Sequence, residues 1–109
     1  MRVLLDQCTP LAIRKSLTKH EVTTARQQGW STLSNGDLLK AAEDAGFEVL
    51  LTTDTHLRNQ QNLAHSKLAI VVLSTNRWKS IQASVNSIVQ VVDSARPGLH
   101  WIEIPTLAE

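Results

Sequence analysis

The sequence predicts a three-layer α/β/α sandwich built on a mainly parallel, five-stranded sheet. Short apolar runs alternate with helix-like patterns, and this alternation is typical of a parallel sheet that helices cover on both faces. The clearest run is LAIVVL at 68–73, whose β-branched residues indicate a buried strand. Two earlier apolar runs are followed by aspartates, Asp6 and Asp54, which places acidic side chains at predicted strand ends.

The composition indicates one domain with a hydrophobic core. The chain has 109 residues, of which 42% are hydrophobic and 19% are charged, and this excludes a disordered protein. Its net charge of +1 neither requires nor excludes RNA as a partner. The single cysteine, Cys8, excludes an intrachain disulfide and favours a cytoplasmic location. No apolar run reaches the roughly 18 residues of a membrane helix, so we expect no membrane partner.

The first part of the chain predicts two strands joined by a helix. Residues 2–5 form the first strand, which stops at Asp6. Pro10 suits the first turn of a helix, with Thr9 as its N-cap. Residues 21–25 are only weakly apolar, and we assign them to the second strand.

The middle of the chain predicts a capped helix that leads into a strand. Ser34 is the expected N-cap, Asp37 lies in the first turn, and Gly46 ends the helix. Residues 47–53 then form the third strand, which is followed by Asp54.

The remaining elements follow from the same two periodicities. Residues 57–63 suit a short helix, and 68–73 form the fourth strand. Apolar residues recur at intervals of three and four positions over 78–92, which predicts the longest amphipathic helix. Pro97 and Gly98 close that helix, and residues 101–104 supply the fifth strand.

Aspartates at the strand ends predict a candidate site. In open parallel α/β sheets, ligands bind beyond the carboxyl ends of the strands, and helices of right-handed crossovers start at that edge. Asp6 and Asp54 lie there, and Asp37 joins them if its helix starts on the same side. Three carboxylates without basic partners repel one another, and Mg²⁺ or Mn²⁺ relieves that repulsion. A structural interpretation also exists for each, with Asp6 and Asp54 closing strands or turns and Asp37 capping a helix.

Several stretches resemble the PIN domain family. The run DLLKAA at 37–42, followed by AGFEVLLTTDTHL at 45–57, is similar to the acidic C-terminal half of PIN domains, where a helix opening with Asp leads into an apolar strand ending in Thr-x-Asp. VLLDQCTP at 3–10 and QQNL at 60–63 are similar to small stand-alone PIN-like proteins. The resemblance covers nearly the whole chain, which we therefore expect to be a single PIN-like domain over 1–109.

The resemblance implies a Mg²⁺- or Mn²⁺-dependent endoribonuclease, often the toxin of a bacterial or archaeal toxin–antitoxin pair. By position, Asp6, Asp37 and Asp54 would be its catalytic and metal-binding acids. RNA and a small antitoxin are the implied partners, and the low charged fraction with three tryptophans allows a homodimer. The family's additional helical glutamate has no counterpart, because Glu21, the one acid between Asp6 and Asp37, falls in a predicted strand.

Four residues after the third strand are candidates for substrate binding. His56 could donate a proton or support Asp54, and Arg58 could hold the RNA backbone. Gln60 and Asn62 could bond to phosphates or base edges. Each of the four also fits a solvated surface position, which is the commoner place for polar side chains.

Two other functions remain open at this point. One is a catalytically inactive PIN-like module that binds RNA or an antitoxin. The other is a phosphoacceptor receiver domain, in which Asp54 would accept the phosphoryl group and Ser74 would follow the fourth strand. Gln7 counts against the receiver because no adjacent acidic pair exists at Asp6, and Ile104 with Pro105 stands where receivers place a lysine.

Overall fold

Five short strands form one sheet in which all neighbouring strands are parallel. The computed structural model describes residues 1–59 and 66–106, and within these ranges the strands are the following: β1 (Arg2–Leu5), β2 (Glu21–Thr24), β3 (Val49–Thr52), β4 (Ala69–Leu73) and β5 (Gly98–Ile102). The three central strands are almost entirely buried, as expected for a sheet covered on both faces. The predicted α/β class with a parallel five-stranded sheet is therefore confirmed.

The order of the strands places a crevice between β1 and β3. The sheet runs β2-β1-β3-β4-β5, so the chain steps outward from β1 to β2 and then returns past β1 to β3. Doubly wound sheets of this order bind their ligands at the carboxyl edge of the β1 and β3 strands, where the connections diverge to opposite faces. Asp6 and Asp54 follow these two strands.

Helices cover both faces and create two separate cores. One face carries a 3₁₀ helix (Leu11–Ser16) together with α2 (Trp78–Ala83) and α3 (Val85–Asp93). The other face carries α1 (Asn35–Asp44) and a second 3₁₀ helix (Thr55–Asn59). The fold is thus a three-layer α/β/α arrangement. No helix in the described residues is long and apolar enough to cross a membrane.

The start and end of α1 agree with the sequence prediction. Ser34 is the N-cap, and its hydroxyl accepts a hydrogen bond from the backbone N–H of Asp37 at 3.4 Å. Gly46 follows the helix with φ of +83°, a left-handed conformation that glycine adopts without a steric penalty. Asn35, the first residue of α1, contacts Asp54 after β3, so the N-terminus of α1 lies at the carboxyl edge of the sheet, where the candidate site was expected.

The prediction of a Thr9-capped helix was wrong. The chain forms a 3₁₀ helix whose N-cap is Pro10, without a side-chain cap. Thr9 is buried, and its hydroxyl donates instead to the carbonyl of Leu51 at 3.2 Å. Leu51 lies in β3, which pairs with β1, so the Thr9 hydroxyl binds the sheet and does not cap the helix.

The single long helix predicted over 78–92 is two helices. Ser84 leaves helical geometry, with φ of −109° and ψ of +13°, and separates α2 from α3. Serine is not a strong helix former, and the Ser84 side chain makes no capping hydrogen bond to α3. Ile81, Ile88 and Val92 still pack into one core, so the interruption leaves the buried face unchanged.

The short helix predicted over 57–63 begins earlier than expected. The 3₁₀ helix starts at Thr55, immediately after Asp54, whose carbonyl accepts a hydrogen bond from the N–H of Leu57 at 3.2 Å. Leu57 is buried against the core beneath α1. The end of the predicted helix, from Gln60 onward, lies outside the described residues.

Candidate functional site

The fold buries Asp6 at the end of a central strand. Side chains of a strand alternate between faces, so Asp6 continues the row of Leu4, on the face that α1 covers. Its backbone N–H donates to the carbonyl of Leu51 at 3.0 Å, which extends the β1–β3 pairing by one residue. Asp6 is only 9% exposed. The strand pairing therefore fixes this carboxylate at the edge of the sheet.

Neutral donors hold the buried carboxylate of Asp6. The backbone N–H of Gln7 donates to Oδ1 at 2.7 Å, and the Thr52 hydroxyl donates to Oδ2 at 2.8 Å. The Cys8 thiol adds a longer contact to Oδ2 at 3.5 Å. Hydrogen bonds of this kind make the anion tolerable in a buried position without cancelling its charge. Asp6 thus presents a preoriented negative charge at the edge of the sheet.

Thr52 connects the two aspartates that follow β1 and β3. Its side chain is fully buried, and its hydroxyl donates to Asp6 Oδ2 while accepting the backbone N–H of Asp54 at 3.0 Å. One hydroxyl therefore fixes the side chain of Asp6 relative to the backbone of Asp54. In the sequence, Thr52 stands out only as part of the Thr-x-Asp ending of the third predicted strand. Its fully buried position on β3 is what gives it a positioning role.

Asp54 is half-buried and receives hydrogen bonds from two different elements. The backbone N–H of His56 donates to Oδ1 at 3.0 Å, as in a turn that aspartate typically initiates. Asn35, the first residue of α1, donates its side-chain amide to Oδ2 at 2.8 Å. Asn35 was not predicted as a site residue. The signal that could have found it is its position directly after Ser34, at a helix start on the carboxyl edge.

An open cleft of about 360 Å³ is lined by both aspartates. Its walls include Asp6, Asp54, Asn35, Cys8, His56 and Trp30. Trp30 is half-buried and meets Phe47 edge to face, with the ring centroids 6.0 Å apart. The cleft thus combines two acids with a hydrogen-bonding amide, an imidazole and an indole at the predicted edge of the sheet.

Asp37 occupies a different environment from the other two aspartates. It is exposed in the first turn of α1, and it is not among the residues that line the cleft. Its backbone N–H bonds to Ser34, and an acid at this position also favours the positive end of the helix dipole. The helix start therefore brings Asn35 to Asp54, whereas a metal-binding role for Asp37 stays a prediction.

The remaining predicted substrate residues lie after β3. His56 is exposed and lines the cleft. Arg58 belongs to the second 3₁₀ helix, but its side chain lies outside the described part of the structure. Gln60 and Asn62 also lie outside the described residues. Their proposed contacts with RNA stay predictions.

The donor set of the cleft suits a hard divalent cation that keeps much of its water. The cleft contains the two carboxylates of Asp6 and Asp54, and carboxylate oxygens are ligands that Mg²⁺ and Mn²⁺ prefer. In residues 1–59 and 66–106, no three His, Cys, Asp or Glu side chains converge as a metal-binding group. Mg²⁺ is commonly held by one or two carboxylates plus substrate phosphates, so the pair fits a site that the substrate completes.

Comparisons with known proteins do not assign the chain to a family. No protein-family model, curated protein or solved structure matches it.

Proposed function

We propose that this protein is a Mg²⁺- or Mn²⁺-dependent ribonuclease that hydrolyses RNA phosphodiester bonds in the cytoplasm. One observation carries the proposal: Asp6 and Asp54 line one cleft between β1 and β3, and the contacts found for their carboxylates come from neutral donors. Two anions held in this way leave a local negative charge that a divalent cation neutralises. The sequence resemblance to PIN domains supports the same chemistry.

In this mechanism, Asp6 and Asp54 would hold the cation, and their neighbours keep both carboxylates oriented. A bound cation would supply a water of lowered pKa and offset negative charge on the phosphoryl oxygens. Thr52 and Asn35 fix the two carboxylates before substrate arrives, which is the preorganisation that electrostatic catalysis requires.

Hydrolysis also requires a proton for the leaving oxygen. Water oxygen forms the new bond to phosphorus while the bond to the leaving nucleoside oxygen breaks, and that oxygen must be protonated. His56 lines the cleft two residues after Asp54 and is exposed to solvent. Its imidazole is the side chain we assign to this proton donation.

RNA cleavage tests the proposed activity directly. Purified protein with Mg²⁺ or Mn²⁺ should cleave single-stranded RNA, and EDTA should stop the reaction. Asp6→Asn and Asp54→Asn should each lower the rate by about 100-fold, because Asn keeps the size but removes the charge that holds a hard cation. Cleavage that persists in EDTA, or that survives both substitutions, would overturn the mechanism.

We further propose that the nuclease is the toxin of a toxin–antitoxin pair. An antitoxin that inserts an arginine between the two carboxylates would replace the metal's charge through bidentate hydrogen bonds. Expression of the chain should inhibit growth, and co-expression with the product of the adjacent gene should relieve the inhibition. Expression without inhibition, and without binding of the neighbouring product, counts against this role.

An inactive PIN-like module is the second candidate. Two observations favour it: the family's helical glutamate has no counterpart in the sequence, and Asp37 is not among the residues that line the cleft. This candidate predicts RNA or antitoxin binding without cleavage at any Mg²⁺ or Mn²⁺ concentration.

The strand order also favours a receiver domain as a third candidate. Receivers share the order β2-β1-β3-β4-β5 and carry an acidic residue after β3, as Asp54 is here. Ser74, however, donates its hydroxyl to the carbonyl of Ile104 at 3.5 Å and accepts the N–H of Ile104 at 2.8 Å, so the hydroxyl is engaged with the segment after β5. Phosphorylation of Asp54 by acetyl phosphate would establish the receiver function, and its absence would eliminate it.

A further inference from the structure

A second cavity adjoins the acidic cleft and extends it toward the β2 edge of the sheet. Its volume is about 750 Å³, and it shares Asp6, Gln7, Cys8 and Ser31 with the first. These shared residues make the two cavities neighbours at the end of β1. Arg26 lines the second cavity but not the first, and it brings a positive charge to its wall.

The turn after β2 holds Arg26 at the carboxyl edge of the sheet. Thr24 and Gln27 form mutual hydrogen bonds, the backbone N–H of Gln27 donating to Thr24 Oγ1 at 3.0 Å and that of Thr24 to Gln27 Oε1 at 3.0 Å. The N–H of Trp30 donates to the carbonyl of Ala25 at 2.9 Å, which closes the loop around Arg26. The backbone is thus well defined, although the side chain of Arg26 is exposed.

The guanidinium of Arg26 is available to a ligand. In residues 1–59 and 66–106, the ion pairs join Lys19 and His20 to Asp93, and no hydrogen bond or ion pair engages the Arg26 side chain. Arginine presents a planar fork of donors that suits a phosphate. The nearby carboxylate of Asp6 receives its contacts from Gln7, Thr52 and Cys8 instead.

An acidic cleft beside a cavity with a free arginine suits a ligand that carries successive phosphates. A phosphate at Asp6 and Asp54 requires a cation between the anions, whereas a phosphate in the second cavity meets Arg26 directly. A polynucleotide supplies both phosphates on one backbone. Trp30, on the wall of the first cleft, offers an indole against which an unpaired base can stack.

We propose that Arg26 in the second cavity binds the phosphate next to the scissile one, so that the substrate is cut at an internal linkage. The substrate is a single strand, because an unpaired base stacks against Trp30. This inference rests on the proposed nuclease function, because only a nuclease has a scissile phosphate. The contact between Arg26 and a phosphate does not depend on catalysis, so the two can fail separately.

Binding of labelled single-stranded RNA in EDTA tests the contact without cleavage. Fluorescence anisotropy over a range of salt concentrations should show that Arg26→Ala weakens binding by about tenfold and lowers the slope of log K against log salt by about one. Arg26→Lys should recover part of the affinity, since it keeps the charge but loses the fork. Arg96→Ala is the matched control, because Arg96 is also exposed but precedes β5 at the opposite edge of the sheet.

A neutral methylphosphonate, moved one linkage at a time along the RNA, locates the contacted phosphate. At one linkage, the methylphosphonate should weaken RNA binding by the wild type by about the same factor as Arg26→Ala does. The same methylphosphonate should not weaken RNA binding by the Arg26→Ala variant any further, because the two changes remove the same interaction. This coupling separates a phosphate contact from a general loss of positive charge. Circular dichroism of each variant verifies that it folds.

The outcomes distinguish this inference from the nuclease proposal. Loss of affinity in Arg26→Ala together with cleavage by the wild type supports both. The same loss without any cleavage supports the phosphate contact and removes the nuclease. Wild-type affinity in Arg26→Ala, equal losses in Arg26→Ala and Arg96→Ala, or no binding by the wild type would overturn the inference.

Discussion

Asp6 and Asp54 are held in different ways, although they line the same cleft. Asp6 is buried and receives its hydrogen bonds from the loop after β1 and from β3, whereas Asp54 is half-buried and is bonded by its own turn and by α1. Thr52 connects the two. Because orientation of both acids depends on neutral groups, substitutions of those groups should alter activity while leaving the charge of the site unchanged.

Thr52 gives the sharpest test at the residue scale. Thr52→Val keeps the buried shape but removes the hydroxyl, so we expect a stability loss of about 1–3 kcal/mol in urea unfolding and a marked loss of cleavage. Thr52→Ser keeps the hydroxyl and removes one methyl, at a cost of about 1 kcal/mol, and should stay active. Full activity in Thr52→Val would show that the hydroxyl does not position the aspartates.

At the scale of elements, sequence periodicity predicted the three central strands better than the helices. The fifth strand, predicted over 101–104, begins instead at Gly98 and ends at Ile102. The runs that form β1, β3 and β4 are buried on both faces, so continuous apolar character was sufficient to find them. The break at Ser84 leaves Ile81, Ile88 and Val92 in one core, so a repeating apolar pattern does not reveal it. The Ser34 cap was predictable, but the path of the loop before it decides that Asn35 faces Asp54.

Asn35 links the start of α1 to the acidic cleft. Asn35→Ala removes the hydrogen bond to Asp54 Oδ2, and we expect cleavage to fall by about tenfold, as for other residues that orient metal ligands. Metal affinity should fall with it, because Asp54 then loses the contact at Oδ2 and keeps the hydrogen bond from the His56 N–H to Oδ1. Unchanged cleavage and unchanged Mn²⁺ affinity would show that the amide contact has no functional role.

Gly36, in the first turn of α1, and Gly46, just after its end, should respond oppositely to alanine. Gly36 has nothing within 4 Å of an added Cβ, so Gly36→Ala should stabilise the helix by about 0.5 kcal/mol. Gly46 has φ of +83°, and an added Cβ would lie 3.1 Å from Arg2 Nη1, so Gly46→Ala should destabilise by roughly 1–2 kcal/mol.

Urea denaturation of the two glycine variants measures the difference. Cleavage per folded molecule should stay near the wild-type value in both, since neither glycine lines the cleft. Destabilisation by Gly36→Ala, or no effect of Gly46→Ala, would contradict the described geometry of α1.

For the whole molecule, the order of strands decides which acids meet. The rule that sites lie at the carboxyl edge anticipated Asp6 and Asp54, but it did not say that β1 and β3 are neighbours. That adjacency arises from crossovers on opposite faces of the sheet, which the sequence does not specify locally. Arg26 was likewise not anticipated, because its cavity forms only when the turn after β2 lies beside the end of β1.

Direct measurement of Mn²⁺ binding is the most direct test of a metal site shared by Asp6 and Asp54. In an electron paramagnetic resonance titration, the wild type should bind Mn²⁺ saturably, and Asp6→Asn and Asp54→Asn should each weaken binding by at least about tenfold. Asp37→Asn tests the third predicted ligand separately, and it should weaken binding less than the other two, because Asp37 is exposed and is not among the residues that line the cleft. A loss in Asp37→Asn as large as in the other two would place a third acid at the metal. Wild-type affinity in both Asp6→Asn and Asp54→Asn, or no saturable binding at all, would contradict the account.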